Sequence, residues 1–138
     1  WKQRYEQIND FERYLHENNI HILKLFLYIS KQEQEKRLLA RLLEPHKNWK
    51  FSIDDLIERQ YWNKYMTAYE EMVNKTTTKH APWYIIPADN KWFRNIAVAK
   101  IMVDALEKLN LKWPNPSPEI QKYVTIAKKI GRLPAVPD

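Results

Sequence analysis

Four groups of charged side chains in this sequence have the types and spacing to grip a phosphorylated or otherwise anionic ligand. Arg37 and Arg41 are four residues apart, which puts both on one face of a helix. A guanidinium offers paired N–H donors that match phosphate oxygens. Lys47 and Lys50 flank Trp49 in the basic, aromatic segment EPHKNWKF, residues 44–51. Asp89, Lys91 and Arg94 directly follow the apolar run Trp83–Ile86. That places one acid and two bases at the C-terminal end of a strand, where open α/β folds bind their ligands. Arg59 is a further base on a long amphipathic stretch. Each group also has a plainer reading. Arg37 and Arg41 would serve as surface pairs for Glu33 or Glu44, and Arg59 for Asp55. Trp49 would anchor its loop, and Asp89 would cap the helix after it, which is the reading favoured for that residue.

Other chemistries are excluded. The chain has one glycine, Gly131. A phosphate-cradling P-loop needs at least two before its lysine, so this chain cannot hold its own. It has no cysteine, hence no disulfide, thiolate metal site or cysteine nucleophile. His16, His21, His46 and His80 are scattered, none at ligand spacing, and no metal site is expected from them. No nucleophile elbow is present. The formal charge of +6 favours an anionic partner. The longest apolar run, Leu25–Ile29, falls far short of the roughly 20 residues that span a bilayer, so no membrane partner is expected. The first residues are charged and helix-like rather than a signal peptide. Because the sequence opens on Trp1 rather than Met, it is expected to be a fragment, or the ordered part of a longer protein; the absence of cysteine fits a reducing compartment, and a cytoplasmic location is expected.

The elements that must position these residues follow from periodicity. Trp1, Tyr5, Ile8, Phe11 or Glu12, and Leu15 keep helical spacing. Residues 20–29, IHILKLFLYI, read as a strand buried on both faces, with Lys24 its one charge. Ser30 and Glu33 form a capping box for a helix to Leu43, which Glu44-Pro45 stops. Ser52 and Asp55 open a second long helix, with Trp62, Tyr65, Met66 and Tyr69 on its apolar stripe. A strand at 83–87 and a helix at 90–109 follow, the latter with Trp92, Ile96, Ala99, Val103 and Leu106 as its buried stripe. Pro114, Pro116 and Pro118 stiffen a linker. Ser117 caps a last helix that ends at Gly131, and a mobile tail is expected beyond it.

Two buried strands joined through helices predict a parallel sheet. The connection between them is far longer than the ~12 residues one helix needs. An insertion at this position in nucleotide kinases is a lid that closes basic residues over phosphates. The expected fold is therefore α/β: a partial P-loop-kinase-like parallel sheet of two strands, with a helical lid at about 30–75 and C-terminal helices. Residues 1–112 would form part of the kinase-like domain, and 113–138 a linker, helix and tail.

The pieces, in order, resemble the C-terminal part of the second polyphosphate kinase family. INDFERYL (8–15) looks like the family's helix before its fourth strand, and LKLFLYISKQEQEKRLLAR (23–41) resembles its strand and first lid helix. EPHKNWKFS (44–52) is similar to its acid-Pro-x-Lys-x-Trp-Lys segment. YWNKYMTAYEEMVNKTTTKHAPWYIIPADNKWFRN (61–95) looks like its second lid helix, threonine cluster, strand and basic helix. The family's Walker A pattern, GxDxxGKG, and its acid-Arg-Ser segment do not occur here.

The resemblance implies phosphate transfer between polyphosphate and a nucleotide, with adenine the expected base. Arg41, Arg37, Lys47, Lys50, Arg59, Lys91, Arg94 and Asp89 would bind substrate. Mg²⁺ is implied, with its ligands outside this chain. The expected partners are the N-terminal portion of the same domain and further copies in a homo-oligomer. The chain alone is expected to be inactive. The rival reading is a noncatalytic basic module binding nucleic acid or a partner protein, resting on charge and interleaved aromatics. Against it, most of those aromatics fall on a stripe read as buried.

Overall fold

The computed structural model describes residues 1–133; the rest of the expected tail lies outside the described residues. The chain divides into two compact units, Trp1–Asp104 and Ala105–Asp138. The first helix, α1, spans Lys2–Glu17. Asn19 then takes the left-handed conformation at φ 62°, which asparagine tolerates better than most residues. The Ile20 N–H turns back to the Leu15 carbonyl at 3.0 Å.

Strand β1, Lys24–Tyr28, pairs in parallel with β2, Trp83–Pro87, from Lys24↔Trp83 to Tyr28↔Pro87. These are the only strands among the described residues. The α/β class and two-stranded parallel sheet expected from sequence are the architecture found. β1 is shorter than the 20–29 expected, because the turn at Asn19 draws Ile20 back to α1 and β2 offers a ladder only five residues long.

Helix α2 covers Lys31–Leu43. The Glu33 N–H donates to Ser30 Oγ at 3.1 Å, the first half of the expected capping box. The second half differs. Glu33 accepts from Arg37 Nε at 2.8 Å, and the Ser30 N–H donates instead to Asp89 Oδ1 at 2.7 Å. A 3₁₀ turn, Pro45–Lys50, follows.

The expected second lid helix is broken in two: α3, Asp54–Arg59, and α4, Trp62–Thr76. The break follows from two different attachments. Arg59 and Asp55 bind α3 to side chains of α2, while α4 packs on the sheet through Tyr69, whose ring lies 5.1 Å from that of Phe26.

The buried centre is small and partly polar: Leu38, Ala81, Ile86 and Ala88 with Glu12, Lys24 and Thr76. Lys24 Nζ donates to Glu12 Oε2 at 2.7 Å and also to the Thr76 carbonyl, and lies 5.3 Å from the Trp83 ring centroid. Trp83 Nε1 donates to Thr76 Oγ1 at 2.8 Å. The network ties α1, β1, β2 and the end of α4 together.

Helix α5 spans Lys91–Lys108. Its expected buried stripe is largely open: Trp92, Ile96, Val103 and Leu106 are all exposed. In the second unit, α6 spans Pro118–Ile130. Ser117 Oγ accepts from the Ile120 N–H at 3.3 Å, and Gly131 ends the helix at φ 66°, where a side chain would be strained.

Candidate functional site

A cleft of about 530 Å³ opens between α2, the pair α3–α4 and the C-terminal half of β1. Arg37, Arg41 and Arg59 line it on one side and Trp62, Tyr65 and Tyr69 on another. Helix α2 supplies Arg37 and Arg41 because their four-residue spacing turns both to the same side. The α3–α4 break swings the aromatic residues over β1. Tyr65 and Tyr69 were read from sequence as core; both are exposed, with rings stacked 6.0 Å apart.

The three arginines are held differently. Arg37 Nη2 donates to the Ala88 carbonyl at 2.8 Å and the Asp89 carbonyl at 3.2 Å, while its Nε pairs with Glu33. It thus braces the end of β2 against α2. Arg59 donates to the Lys31 carbonyl at 3.0 Å, Gln34 Oε1 at 2.7 Å and Glu35 Oε2 at 2.6 Å. Arg41 has one close partner, Asp55 Oδ2 at 3.1 Å, and a long contact to the Lys50 carbonyl at 3.5 Å. The Arg59–Asp55 pairing considered from sequence therefore does not form: Asp55 goes to Arg41, and Arg59 reaches across to α2. Position alone hid the Arg41–Asp55 pair, since the two residues lie on different helices.

Asp89 does not cap α5. That role falls to Asn90, whose Oδ1 accepts from the Trp92 N–H at 3.2 Å. Asp89 instead accepts from the Ser30 backbone. That bond, the Ser30 hydroxyl and the nearby Arg37 charge together hold its carboxyl below the ordinary value of 3.8. Asp89 and Arg37 thus form one brace linking the two strand ends.

Lys47, Lys50, Lys91 and Arg94 do not line the cleft. Lys47 Nζ pairs with Glu44. The Glu44 carboxyl is lowered chiefly by that bond, with smaller contributions from the charges of Lys47, His46 and Lys91. Lys50 Nζ sits 5.0 Å over the Trp49 ring. Trp49 is itself 79% exposed, so it does not pin the 3₁₀ turn to the core. Arg94 donates to the neighbouring Asn95 Oδ1 at 2.9 Å.

Two features were missed from sequence. Tyr65 donates its hydroxyl to Glu58, which raises the phenol above its usual value of 10.0. Three of the four histidines, read as scattered, lie together: His16 stacks on His80 at 5.3 Å and meets His21 edge-on at 6.4 Å. No group of three or more His, Asp or Glu among the described residues is arranged to hold a metal ion. The carboxylates of the cleft are also committed: Asp55 to Arg41 and Glu58 to Tyr65. Among the described residues, those of the cleft therefore do not fit a magnesium site.

The family model "Polyphosphate kinase 2 (PPK2)" matches residues 1–114. The chain is 46% identical to the AMP/ADP-polyphosphate phosphotransferase of Meiothermus ruber over 124 residues, which is 90% of this chain and 46% of that protein. A chain of Leptolyngbya boryana, described as an uncharacterized protein in the chlN 3'region, is 52% identical over 94% of this chain and 96% of its own length. The crystal structure of polyphosphate kinase 2 from Arthrobacter aurescens TC1 superposes with a TM-score of 0.85 at 46% identity, covering 92% of this chain and 46% of that one. The fold and sequence are those of a polyphosphate:nucleotide phosphotransferase family, and the chain belongs to polyphosphate kinase 2. It spans about half the length of the phosphotransferase and of the kinase structure it matches.

Proposed function

We propose that this chain is the lid-bearing portion of a cytoplasmic enzyme that transfers phosphate between polyphosphate and an adenine nucleotide. The observation that carries the reading is the convergence of Arg37, Arg41 and Arg59 on one cleft walled by Trp62, Tyr65 and Tyr69. Phosphoryl transfer asks chiefly for positioning and charge neutralisation. Arg41 is the side chain best placed to take phosphate oxygens, because its one close partner is a carboxylate roughly one-third exposed. Arg37 and Asp89 act on position: they hold the base of α2 against the end of β2. The aromatic wall offers faces on which a nucleotide base can stack. With one glycine in the whole sequence, the chain has no P-loop of its own, so turnover requires residues it does not contain.

The test is direct binding of polyphosphate, ADP and single-stranded DNA to the purified chain across a salt series, beside an assay for polyphosphate-dependent nucleotide phosphorylation. Binding of polyphosphate or ADP that weakens in Arg41→Ala, with no turnover by the chain alone, is the expected result. Tight DNA binding with neither of the other two would favour the basic-module reading.

A further inference from the structure

Two carboxylates line the cleft, Asp55 and Glu58. They are three residues apart on α3 and so share one face of it. They are engaged differently. Asp55 pairs with Arg41, whereas Glu58 Oε2 accepts the Tyr65 hydroxyl. Glu58 is thus the carboxylate of the cleft that no arginine neutralises, and its second oxygen, Oε1, accepts no hydrogen bond from the described residues. A carboxylate repels a phosphate, so in a cleft that takes phosphates at Arg41 it suits the other end of the ligand. Tyr65 stands at that end. Its ring stacks on Tyr69 at 6.0 Å, and its hydroxyl, at the edge of the ring, is the group that Glu58 holds. A base laid over the Tyr65 ring therefore brings one of its edges to the Glu58 carboxylate. An ionised carboxylate only accepts hydrogen bonds, so the edge that fits is one that donates. The cleft, at about 530 Å³, has the size of a site for a small ligand such as a nucleotide.

We propose that Glu58 is a specificity-determining residue of the cleft: its Oε1 accepts a hydrogen bond from the exocyclic amino group of a nucleobase stacked on Tyr65, and so selects a base that carries one. The inference rests on the functional reading above, which puts phosphates at Arg41 and the base on the aromatic wall. The plainer role of Glu58 is a latch that joins α3 to α4 through Tyr65. That role uses Oε2 alone and gives no preference among bases.

The experiment titrates the full chain, wild type and Glu58→Gln, with polyphosphate, ADP, 2′-deoxy-ADP and purine riboside 5′-diphosphate, which is ADP without its amino group. The wild type should bind ADP about threefold to tenfold more tightly than the purine riboside compound, the factor that one net hydrogen bond is worth. This comparison needs no variant to fold. In Glu58→Gln the ratio should fall to about one. A glutamine still accepts the Tyr65 hydroxyl, and its amide N–H can donate to ring N1, an acceptor that both nucleotides share. The deoxy compound should bind as ADP does. Equal binding of ADP and the purine riboside compound by the wild type would overturn the proposal. So would a ratio that Glu58→Gln leaves unchanged, or a loss confined to 2′-deoxy-ADP, which is the mark of a carboxylate that holds the sugar. If polyphosphate and both nucleotides bind and the amino group makes no difference, this inference fails and the functional reading stands. If neither polyphosphate nor any nucleotide binds, both fail.

Discussion

Replacing Lys24 with methionine should destabilise the protein far more than replacing Arg41 in the cleft with alanine. The Lys24 and Glu12 side chains are 8% and 10% exposed and 2.7 Å apart, so removing the ammonium strands a carboxylate in a water-poor site. Breaking such a pair from one side costs about 3–5 kcal/mol. Unfolding entropy near the midpoint is about 2.1 cal/mol/K per residue, or about 0.29 kcal/mol/K for a chain of this length, so Tm should fall by about 10–17 °C. The double variant Lys24→Met/Glu12→Leu removes both charges at similar volume and should recover most of that loss. It will not recover all, because the Thr76 carbonyl loses its ammonium donor, worth about 1–3 kcal/mol if left unpaired. Thermal unfolding of the wild type, both single variants and the double variant gives the coupling energy directly. A single-variant Tm loss under about 3 °C, or a double variant as damaging as the two singles summed, would refute the claim that this pair is buried and coupled.

Two further outcomes follow from the cleft and its brace. Arg41→Ala should lower kcat/KM of the complete kinase about tenfold or more, with Arg41→Lys failing to rescue. Its Tm should move by no more than about 3 °C, because the Asp55 pair is roughly one-third exposed and worth about 0–1 kcal/mol; steady-state kinetics beside thermal unfolding separates the two effects. Asp89 carries a folded pKa below its unfolded value, chiefly through the Ser30 N–H, so its contribution is fully present above about 3.8 and is lost as pH falls through the folded value. Asp89→Asn should remove that acid-side dependence, and unfolding followed from neutral to strongly acidic pH should show the two curves converging at the acid end. Parallel curves over the whole range would mean that the carboxylate charge plays no part in the brace.

What could be read from the sequence was what is local to it. Ser30 and Ser117 announce helix starts because a hydroxyl reaches an N–H three residues on, and both of these bonds form, although Glu33 does not complete the capping box read at Ser30. The apolar runs around 24–28 and 83–87 mark strands because they are short and continuous, but the burial on both faces expected of them is not found: Leu27 and Ile85 are 47% and 58% exposed. Partners distant in sequence were not legible. At the position read as Phe11 or Glu12, the apolar residue was the natural choice for the buried site, yet Phe11 is 60% exposed and Glu12 is buried. The signal was present in Lys24, a lone charge inside an apolar run, which needed a buried counter-ion of opposite sign. The aromatic stripe of the second lid helix failed for another reason. Periodicity tells which residues share a face but not whether anything covers it, so Tyr65 and Tyr69 line a cleft instead of a core. The stripe on α5 is open in the same way.

The partners of the three arginines rank how readily each can turn to a ligand. Arg37 is bound to two backbone carbonyls that cannot move without distorting the end of β2. Arg59 satisfies a carbonyl, an amide side chain and a carboxylate at once, and its guanidinium fastens α3 to α2 alongside the Arg41–Asp55 pair. Arg41 has a single close partner, on the side chain of a residue at the start of a short helix. A phosphate oxygen replaces a carboxylate oxygen at a guanidinium with little change in geometry, whereas it replaces a backbone carbonyl only at the expense of the fold. On the proposed function, an anion entering the cleft would compete most easily for Arg41, releasing Asp55 to solvent, and the other two would hold the surface on which that exchange takes place. On this argument Arg37→Ala and Arg59→Ala should lower stability as well as activity, while Arg41→Ala separates the two.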